Sequence, residues 1–409
     1  MCNLQENIIY LLFYILEIKE GPFTNLRKKL LIGLILLILI INCSNYTSGY
    51  HKPFTKPEVK DTSIAFNDFL SQLSSRCNLY PIPYPPYEPQ DIDLRDAAYH
   101  KSYDRLHMEW WFLEDILDNG YSTAFTIIIL SRERIFSKGN IGSCFFAVSL
   151  YKDTELEFST MVKFPLENLI ASQELPLIKI SEGENSFIME FDNNRSTTDE
   201  WIFNVSFIIN DTETNVTSNL TFTGTTKGYA GQTLGGWYGP ILPKADVKGV
   251  LILNNEEINM NGLGYLEHGW NITFPIWEYG WYFGKIVSDS FCLLWGRMMQ
   301  TRWNEQGRAA ILSKDGSGYI NINPKNFSFK PTNYKFNNGK LIPTKYIFNI
   351  TDSGISINVT IETININHFG IASFDCWRYH VLVNGQITYG NTTEIIKNKI
   401  QLMGFVSFR

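Results

Sequence analysis

The sequence predicts an all-β protein with two antiparallel β-barrels or sandwiches in tandem. Many short runs alternate apolar and polar residues, which is the pattern of antiparallel strands with one face in water. Clusters of Gly, Asn and Asp separate these runs at short intervals and predict turns. Strands with regular turns and almost no helical periodicity are typical of a sandwich or barrel. Because about 300 residues of strand and turn exceed what one core usually holds, two β-domains are expected.

The N-terminal residues 1–43 have the composition of a signal or membrane-anchor segment. Three basic residues at 27–29 precede an apolar run at 30–41. This run is shorter than the roughly 20 residues that span a bilayer, and a basic stretch before it is typical of a signal peptide. Two alternatives stay open, which are lipid attachment at Cys43 and a membrane hairpin formed with the earlier apolar stretch at 8–18. We expect an extracytoplasmic protein that is either secreted or anchored to the membrane.

The chain contains twelve N-x-S/T sequons, which support the same location. Such sequons are acceptors of N-glycosylation in secreted proteins, so a glycosylated surface is expected. The alternative is that strands rich in Asn, Thr and Ile produce sequons through composition alone. A net charge of −6 and a pI of about 5.6 give no basic surface for nucleic acid, and no nucleic-acid partner is expected.

Residues 44–90 are predicted to form a linker ahead of the folded part of the chain. A short helix is expected at 63–73, where apolar residues recur at roughly helical spacing. The stretch 80–89 has five prolines in ten residues, which exclude a helix or a central strand. We therefore expect a first β-domain at 91–273 and a second at 274–409.

The strand pattern is clearest at 355–364, where Ile and Val alternate with Ser, Asn, Thr and Glu. The runs at 122–130, 143–151 and 200–209 are rich in β-branched and aromatic residues and are also predicted strands. The dipeptide at 384–385 is Asn-Gly, which between two strands predicts a tight hairpin turn.

The stretch HMEWWF combines a histidine, an acid and two tryptophans. Because alternate residues of a strand share a face, His107, Glu109 and Trp111 are predicted to lie together. Met108 and Trp110 then point to the opposite face. We interpret the first group as a candidate ligand-binding cluster.

The stretch GLGYLEHGWN has a similar content. Alternation places Tyr265 and Glu267 on one face and His268 and Trp270 on the other. Both groups could point into one pocket only if Gly269 introduced a bulge. The pair of Tyr265 and Glu267 is therefore the candidate reactive site, with the histidine and tryptophan as its support.

A carboxyl group in an apolar, aromatic cavity acquires a raised pKa, because burial disfavours its charged form. Glu267, or the alternative Glu109, could then stay protonated at neutral pH and act as a general acid. Nearby aromatic faces could stabilise a carbocation formed from an alkene. The competing interpretation is a buried structural carboxylate tied to a backbone N–H, a histidine or one of four arginines, which are Arg297, Arg302, Arg308 and Arg378.

Two further aromatic stretches are candidates for a cavity wall. In GGWYGPILPKADVKG, two glycines precede Trp237 and Tyr238, whose rings could line the mouth or wall of a cavity. The alternative is a turn plugged by aromatic side chains. In EYGWYFGKI, Trp281 shares a strand face with other aromatic residues and is a further candidate.

No cofactor or metal is expected from the spacing of the chain's residues. A His–Glu pair lacks third and fourth ligands at a recognisable spacing, and the cysteines show no zinc signature. Two disulfides in three possible connectivities, or buried thiols, are the alternatives for the four cysteines beyond the N-terminal segment, which are Cys77, Cys144, Cys292 and Cys376.

Several motifs occur in the order found in the carotenoid hydratase (hydroxyneurosporene synthase) and AttH-like family, which the chain resembles over 94–409. They are HMEWWF, WYGPILPKADVKGVL, GLGYLEHGW and the W-x-Y-G element at 277–280, followed by closing strands that begin at Trp377. The resemblance implies two lipocalin-like β-barrels in tandem.

Hydratases of this family add water to a terminal isoprenoid double bond without a cofactor. The resemblance implies that the acid of the family's Y-x-D-H element is Glu267 here, with Tyr265, His268 and Trp270 at matching positions. The sequence departs from the family by carrying Glu in place of Asp. It also has Gly236 where a polar residue, often His, is expected.

The expected function is that of an exported or membrane-anchored lipocalin-like protein that binds an apolar isoprenoid or lipid ligand. The alternative is a hydro-lyase with Glu267 as general acid, assisted by Tyr265 and His268, and a third interpretation is an architectural envelope protein. The Glu-for-Asp change and the exported location favour binding over catalysis. The residues expected around the ligand are His107, Glu109, Trp111, Trp237, Tyr238, Trp270 and Trp281.

Overall fold

A computed structural model describes residues 87–101, 107–133, 140–210, 214–233, 236–272, 280–299, 305–371 and 374–408. The predicted signal or anchor segment at 1–43, the helix at 63–73 and the domain boundary after residue 273 lie outside the described residues. Within the described residues, no helix has the length and apolar character needed to cross a bilayer.

The elements are strands, apart from one short helix and two single 3₁₀ turns at Leu166–Asn168 and Pro324–Asn326. In chain order they are β1 (Gln90–Asp91), α1 (Leu94–Ala97), β2 (His107–Leu117), β3 (Tyr121–Glu133), β4 (Asn140–Lys152), β5 (Glu155–Pro165), β6 (Ile170–Ala171), β7 (Leu177–Glu182), β8 (Asn185–Phe191), β9 (Ile202–Asn210), β10 (Asn215–Gly224), β11 (Tyr229–Thr233), β12 (Gly236–Leu253), β13 (Glu256–Asn259), β14 (Gly262–Ile272), β15 (Gly280–Val287), β16 (Phe291–Met299), β17 (Glu305–Lys314), β18 (Tyr319–Asn321), β19 (Phe327–Asn337), β20 (Lys340–Asp352), β21 (Ile355–Ile371), β22 (Phe374–Tyr389) and β23 (Thr392–Phe408).

The described strands form two antiparallel sheets of 14 and 9 strands in tandem along the chain. The first sheet opens with the meander β2 to β5, and β14 returns to pair beside β2. The second sheet repeats this plan, because it opens with the meander β15 to β18 and β23 returns to pair beside β15. The predicted all-β class with two curled antiparallel sheets in tandem is confirmed.

Strand alternation places the apolar side chains in the core of each sheet. In β21, Ile355, Ile357, Val359 and Ile361 are each at most 3% exposed, while the polar residues between them face outward or are half-buried. Burying one such side chain contributes about 1.5–3 kcal/mol. Each sheet packs around its own apolar cluster in this way.

A third apolar cluster joins the two sheets. Phe112 and Tyr265 from the first sheet pack with Val287 and Leu294 from the second, and all four are buried. Aromatic faces from both sheets therefore meet in one contact region, which contains the candidate site.

The hairpin predicted at the Asn-Gly dipeptide is wrong. Residues 384–385 lie inside β22, where the pairing with β23 shifts register between Val383 and Gly385. Gly385 has φ +148°, and a Cβ there would lie 2.0 Å from the carbonyl oxygen of Asn358. The glycine is thus required by a β-bulge and a close backbone approach, and the turn follows at 390–391.

Candidate functional site

A cavity of about 410 Å³ lies between the two sheets. Its volume falls in the range of about 300–1,000 Å³ that is usual for small-molecule sites. Aromatic rings dominate its walls, with Trp110, Tyr238 and Tyr265 from the first sheet and Trp281 and Phe283 from the second. Such a cavity suits a largely apolar ligand.

Glu267 forms the acidic centre of this cavity and is 5% exposed. Its Oε2 accepts hydrogen bonds from the hydroxyl groups of Tyr238 and Tyr265, each over 2.6 Å, and the two hydroxyl oxygens are 2.9 Å apart. Its Oε1 is 3.4 Å from Trp110 Nε1, a long contact, so this oxygen is available to carry the carboxyl proton.

Strand register explains how this cluster forms. Tyr265 and Glu267 share a face of β14 because they are two residues apart, as the alternation predicts. Tyr238 joins them from β12, where it lies opposite Gly269 in the antiparallel pairing with β14. Trp110 is on β2, the other neighbour of β14.

Burial controls the protonation of the cluster. Burial raises the pKa of Glu267, and the hydrogen bonds from Tyr238 and Tyr265 oppose this effect without cancelling it. Burial and the nearby carboxyl group also raise the pKa of both tyrosines well above the usual value. Glu267 therefore keeps its proton to a higher pH than an exposed glutamate would, and it can serve as a proton donor inside an apolar cavity.

A buried ionic group borders the same cavity. Glu114 on β2 accepts hydrogen bonds from Lys285 on β15 and, over 2.7 Å, from Arg378 on β22. Burial raises the pKa of Glu114, but the charges of the two cations outweigh it and leave the pKa below its usual value. Two cations thus share one carboxylate, which ties the sheets together and leaves one positive charge in excess. Lys285 Nζ also lies 4.8 Å from the centre of the Tyr265 ring.

The remaining predicted site residues lie on the opposite face of the first sheet and do not line this cavity. Glu109 Oε1 is 2.9 Å from His268 Nε2, and Glu109 Oε2 is 3.1 Å from His107 Nε2. The His268 ring stacks between Trp111 and Trp270, with ring centres 4.3 and 4.7 Å away.

Trp237 lies with these residues on the opposite face of the sheet, since its ring stacks on that of Trp270 with ring centres 5.9 Å apart. The separation of Glu267 from His268 follows from strand alternation. The only irregularity in the pairing of β14 with β2 falls between Gly269 and Ile272, beyond both residues. The ligand-binding role predicted for His107, Glu109, Trp111, Trp237 and Trp270 stays a prediction. The catalytic role predicted for His268 also stays a prediction.

Gly269 is required for the packing of the Trp110 indole. A Cβ at this position would lie 2.5 Å from the Trp110 ring. The glycine therefore makes room for the indole that packs beside Glu267. It is a requirement for close packing and not for an unusual backbone angle.

Sequence reasoning missed Glu114 and Lys285 as site residues. The alternation that separates Glu109 from Trp110 also places Trp110, Phe112 and Glu114 on one face, so the signal for Glu114 was present. The contact with Lys285 carries no local signal, because it joins residues 171 positions apart.

Of the four arginines that could have neutralised Glu267, Arg378 binds Glu114, while Arg297 and Arg308 both bind Glu305. Arg302 lies outside the described residues. No ion pair between Glu267 and a cation occurs within the described ranges, which agrees with its raised pKa.

The two cysteines in the cores, Cys144 and Cys292, are buried free thiols. Burial raises the pKa of each to about 12. Of the two alternatives for these residues, buried thiols apply, and Cys77 lies outside the described residues.

Comparison with known proteins finds similarity in structure alone. The sequence matches no family model and no curated protein. The crystal structure of a Nitrosomonas europaea protein provisionally named AttH superposes with a TM-score of 0.55 and 13% identity, covering 78% of this chain and 98% of that one. CghA in complex with Sch210972 gives a TM-score of 0.47 and 9% identity over 79% and 99%. The chain therefore has the two-domain, lipocalin-like all-β fold of the AttH-type protein.

Proposed function

We propose that this protein binds an apolar isoprenoid or other lipid in the cavity between its two sheets. The observation that carries the proposal is a cavity of about 410 Å³ with aromatic walls and one buried acidic cluster at Glu267. Apolar pockets with a few convergent polar groups are the usual form of small-molecule sites. The aromatic rings supply contact area, and the acid with its two tyrosines orients a polar group of the ligand.

Surface features support the extracytoplasmic part of the proposal. Ten of the twelve sequon asparagines lie in the described residues, where eight are exposed and two are half-buried. Exposed asparagines are accessible to glycosylation, which supports a glycosylated surface. The proposed protein is a glycoprotein that is secreted, or held at the membrane by the segment 1–43, and it has no nucleic-acid partner.

A second candidate function is the hydration of an isoprenoid double bond, without a cofactor, in the manner of a carotenoid hydratase. It is favoured by one observation, which is the raised pKa of buried Glu267 between two tyrosine hydroxyl groups. In this reaction the carboxyl proton would add to one alkene carbon and a water oxygen would bond to the other. The water would return a proton to the Glu267 carboxylate, so atoms and charge balance.

The charged side chains beside the cavity favour lipid binding over alkene hydration. Lys285 and Arg378 together carry one more charge than Glu114 neutralises. A positive charge close to the cavity opposes formation of a carbocation there. The excess charge does not oppose binding of a neutral or anionic amphiphile. Binding is therefore the primary function proposed, and hydration the second.

Lipid extraction of the purified full chain, followed by mass spectrometry, tests the proposal directly. We expect a single class of apolar compound bound in substoichiometric or stoichiometric amount, and displacement of that compound by all-trans-retinol. Absence of any bound lipid together with absence of retinol binding would refute it. Glu267→Gln keeps the shape of the side chain and removes the acid, with Glu362→Gln on the exposed face as a matched control. The enzymatic alternative would be established if Glu267→Gln kept the ligand but no longer formed an alkene-hydration product, while Glu362→Gln still formed it.

A further inference from the structure

Three side chains with metal-binding atoms meet behind the first sheet, on the face away from the cavity. Glu109 Oε1 is 2.9 Å from His268 Nε2 and 3.4 Å from His100 Nδ1. One nitrogen or oxygen atom of each residue lies within 4.8 Å of the other two. Glu109 and His268 are fully buried, whereas the His100 side chain is 24% exposed. Neither proposed function of the cavity uses this cluster.

The hydrogen bonds of His268 define where its lone pair points. Its Nδ1 lies 2.7 Å from the carbonyl oxygen of Asp96. A carbonyl oxygen only accepts, so Nδ1 carries a hydrogen and a neutral ring keeps its lone pair on Nε2. That lone pair is directed at the carboxylate of Glu109. Two lone pairs at this distance repel each other unless a proton or a metal cation lies between them.

The surroundings of the cluster match those of a metal site. Histidine ligands of metals usually donate their second ring nitrogen to a backbone carbonyl or a carboxylate, as His268 does to Asp96. Ligating carboxylates are themselves hydrogen-bonded, as Glu109 is to His107 Nε2 over 3.1 Å. The His100 ring stacks on Trp270 with ring centres 4.6 Å apart, which fixes its orientation.

We propose that His100, Glu109 and His268 bind a divalent transition-metal ion, for which zinc is the best match. Two imidazoles and one carboxylate are a known zinc ligand set with a fourth position left for water. The partly exposed His100 supplies the route from solvent. The ligands come from three segments, which are the residues after α1, the strand β2 and the strand β14, so the ion clamps the N-terminal part of the described chain onto the sheet.

The positions of the three residues along the chain also explain why the sequence does not predict a metal site. Glu109 is 9 residues from His100 and 159 residues from His268. Sequence patterns for zinc rely on ligands a few residues apart. Here the third ligand is supplied by strand pairing, which brings His268 on β14 directly opposite Trp111 on β2.

Metal titration of the purified full chain tests the proposal. The protein is stripped with a chelator, and Zn²⁺ binding is measured by competition with Co²⁺, whose visible absorption reports a site with nitrogen and oxygen ligands. We expect one Zn²⁺ per chain and a loss of affinity of at least about 100-fold in His100→Ala and in Glu109→Gln. His107→Ala removes an orienting hydrogen bond and should weaken binding by about 10–100-fold.

His368→Ala is the matched control. His368 Nε2 lies 3.0 Å from Asp375 Oδ1, so the variant removes a histidine–carboxylate pair from another part of the chain. It should bind Zn²⁺ as the wild type does. His100 is partly exposed, so its variant is expected to fold, and circular dichroism checks this. If the wild type binds Zn²⁺ no more tightly than folded His100→Ala does, a proton joins His268 to Glu109 and the proposal is overturned.

Discussion

Gly296 offers a direct way to fill the proposed ligand cavity without disturbing the fold. It lines the cavity from β16, and a Cβ added there would have the carbonyl oxygen of Tyr282 as its nearest neighbour, at 3.9 Å. The φ angle of Gly296 lies outside the positive range that residues other than glycine rarely adopt. A phenylalanine at this position therefore meets open space, and its ring extends into the cavity.

The expected loss of affinity follows from the cavity's size. A benzene-sized group occupies roughly 150 Å³ of a protein cavity, which is about a third of the 410 Å³ present. Displacing about seven ligand atoms at about 0.3 kcal/mol each removes about 2 kcal/mol of binding free energy. Gly296→Phe should therefore weaken binding of an apolar ligand by about 30-fold.

Fluorescence titration with all-trans-retinol measures this effect in the full chain. Gly318→Phe is the control, because Gly318 has no atom within 4 Å of a Cβ and lies outside the cavity. The control should bind retinol as the wild type does, and both variants should keep the wild-type melting temperature within a few degrees. Equal affinities of the wild type and Gly296→Phe would refute the assignment of the ligand to this cavity.

Three further substitutions test the site. Glu114→Gln leaves two buried cations without their carboxylate and should lower the free energy of unfolding in urea by about 3–5 kcal/mol. Glu362→Gln, at a surface ion pair, should change it by less than about 1 kcal/mol, and equal losses would contradict the burial of the first pair. Gly269→Ala places a Cβ against the Trp110 ring and should destabilise the fold by about 1–3 kcal/mol, whereas a neutral effect would show that the indole does not pack there. Burial raises the pKa of Glu267 above 4.5, so its contribution to stability is present below pH 4.5 and is lost as pH rises toward the folded-state pKa. Glutamine has no such proton, and the stability of Glu267→Gln relative to wild type should rise by up to about 1.4 kcal/mol per pH unit across that window; a difference independent of pH would contradict the raised pKa.

Several features of the site could be predicted because they depend on the period of a strand. The pairing of Tyr265 with Glu267 on one face, and of His268 with Trp270 on the other, follows from alternation alone. The same period predicts the buried face of β21. The prediction of a hairpin at the Asn-Gly dipeptide was wrong, because the pairing of the strands produces a bulge there in place of the turn that the two residues locally favour. At this bulge Gly385 lies against the backbone of the neighbouring strand.

The local pattern of apolar and polar residues was sufficient to predict the all-β class and the two faces of each strand, since both depend on residues two positions apart. Tertiary structure decided which faces became candidate sites. Glu267 acquired two tyrosine partners and an apolar cavity through strand register and the meeting of two sheets, and Glu114 acquired Lys285 across the same contact. The cluster of His100, Glu109 and His268 likewise exists only where three distant segments converge. Contacts between residues far apart in the chain depend on how the strands pair, and no short stretch of sequence encodes that pairing.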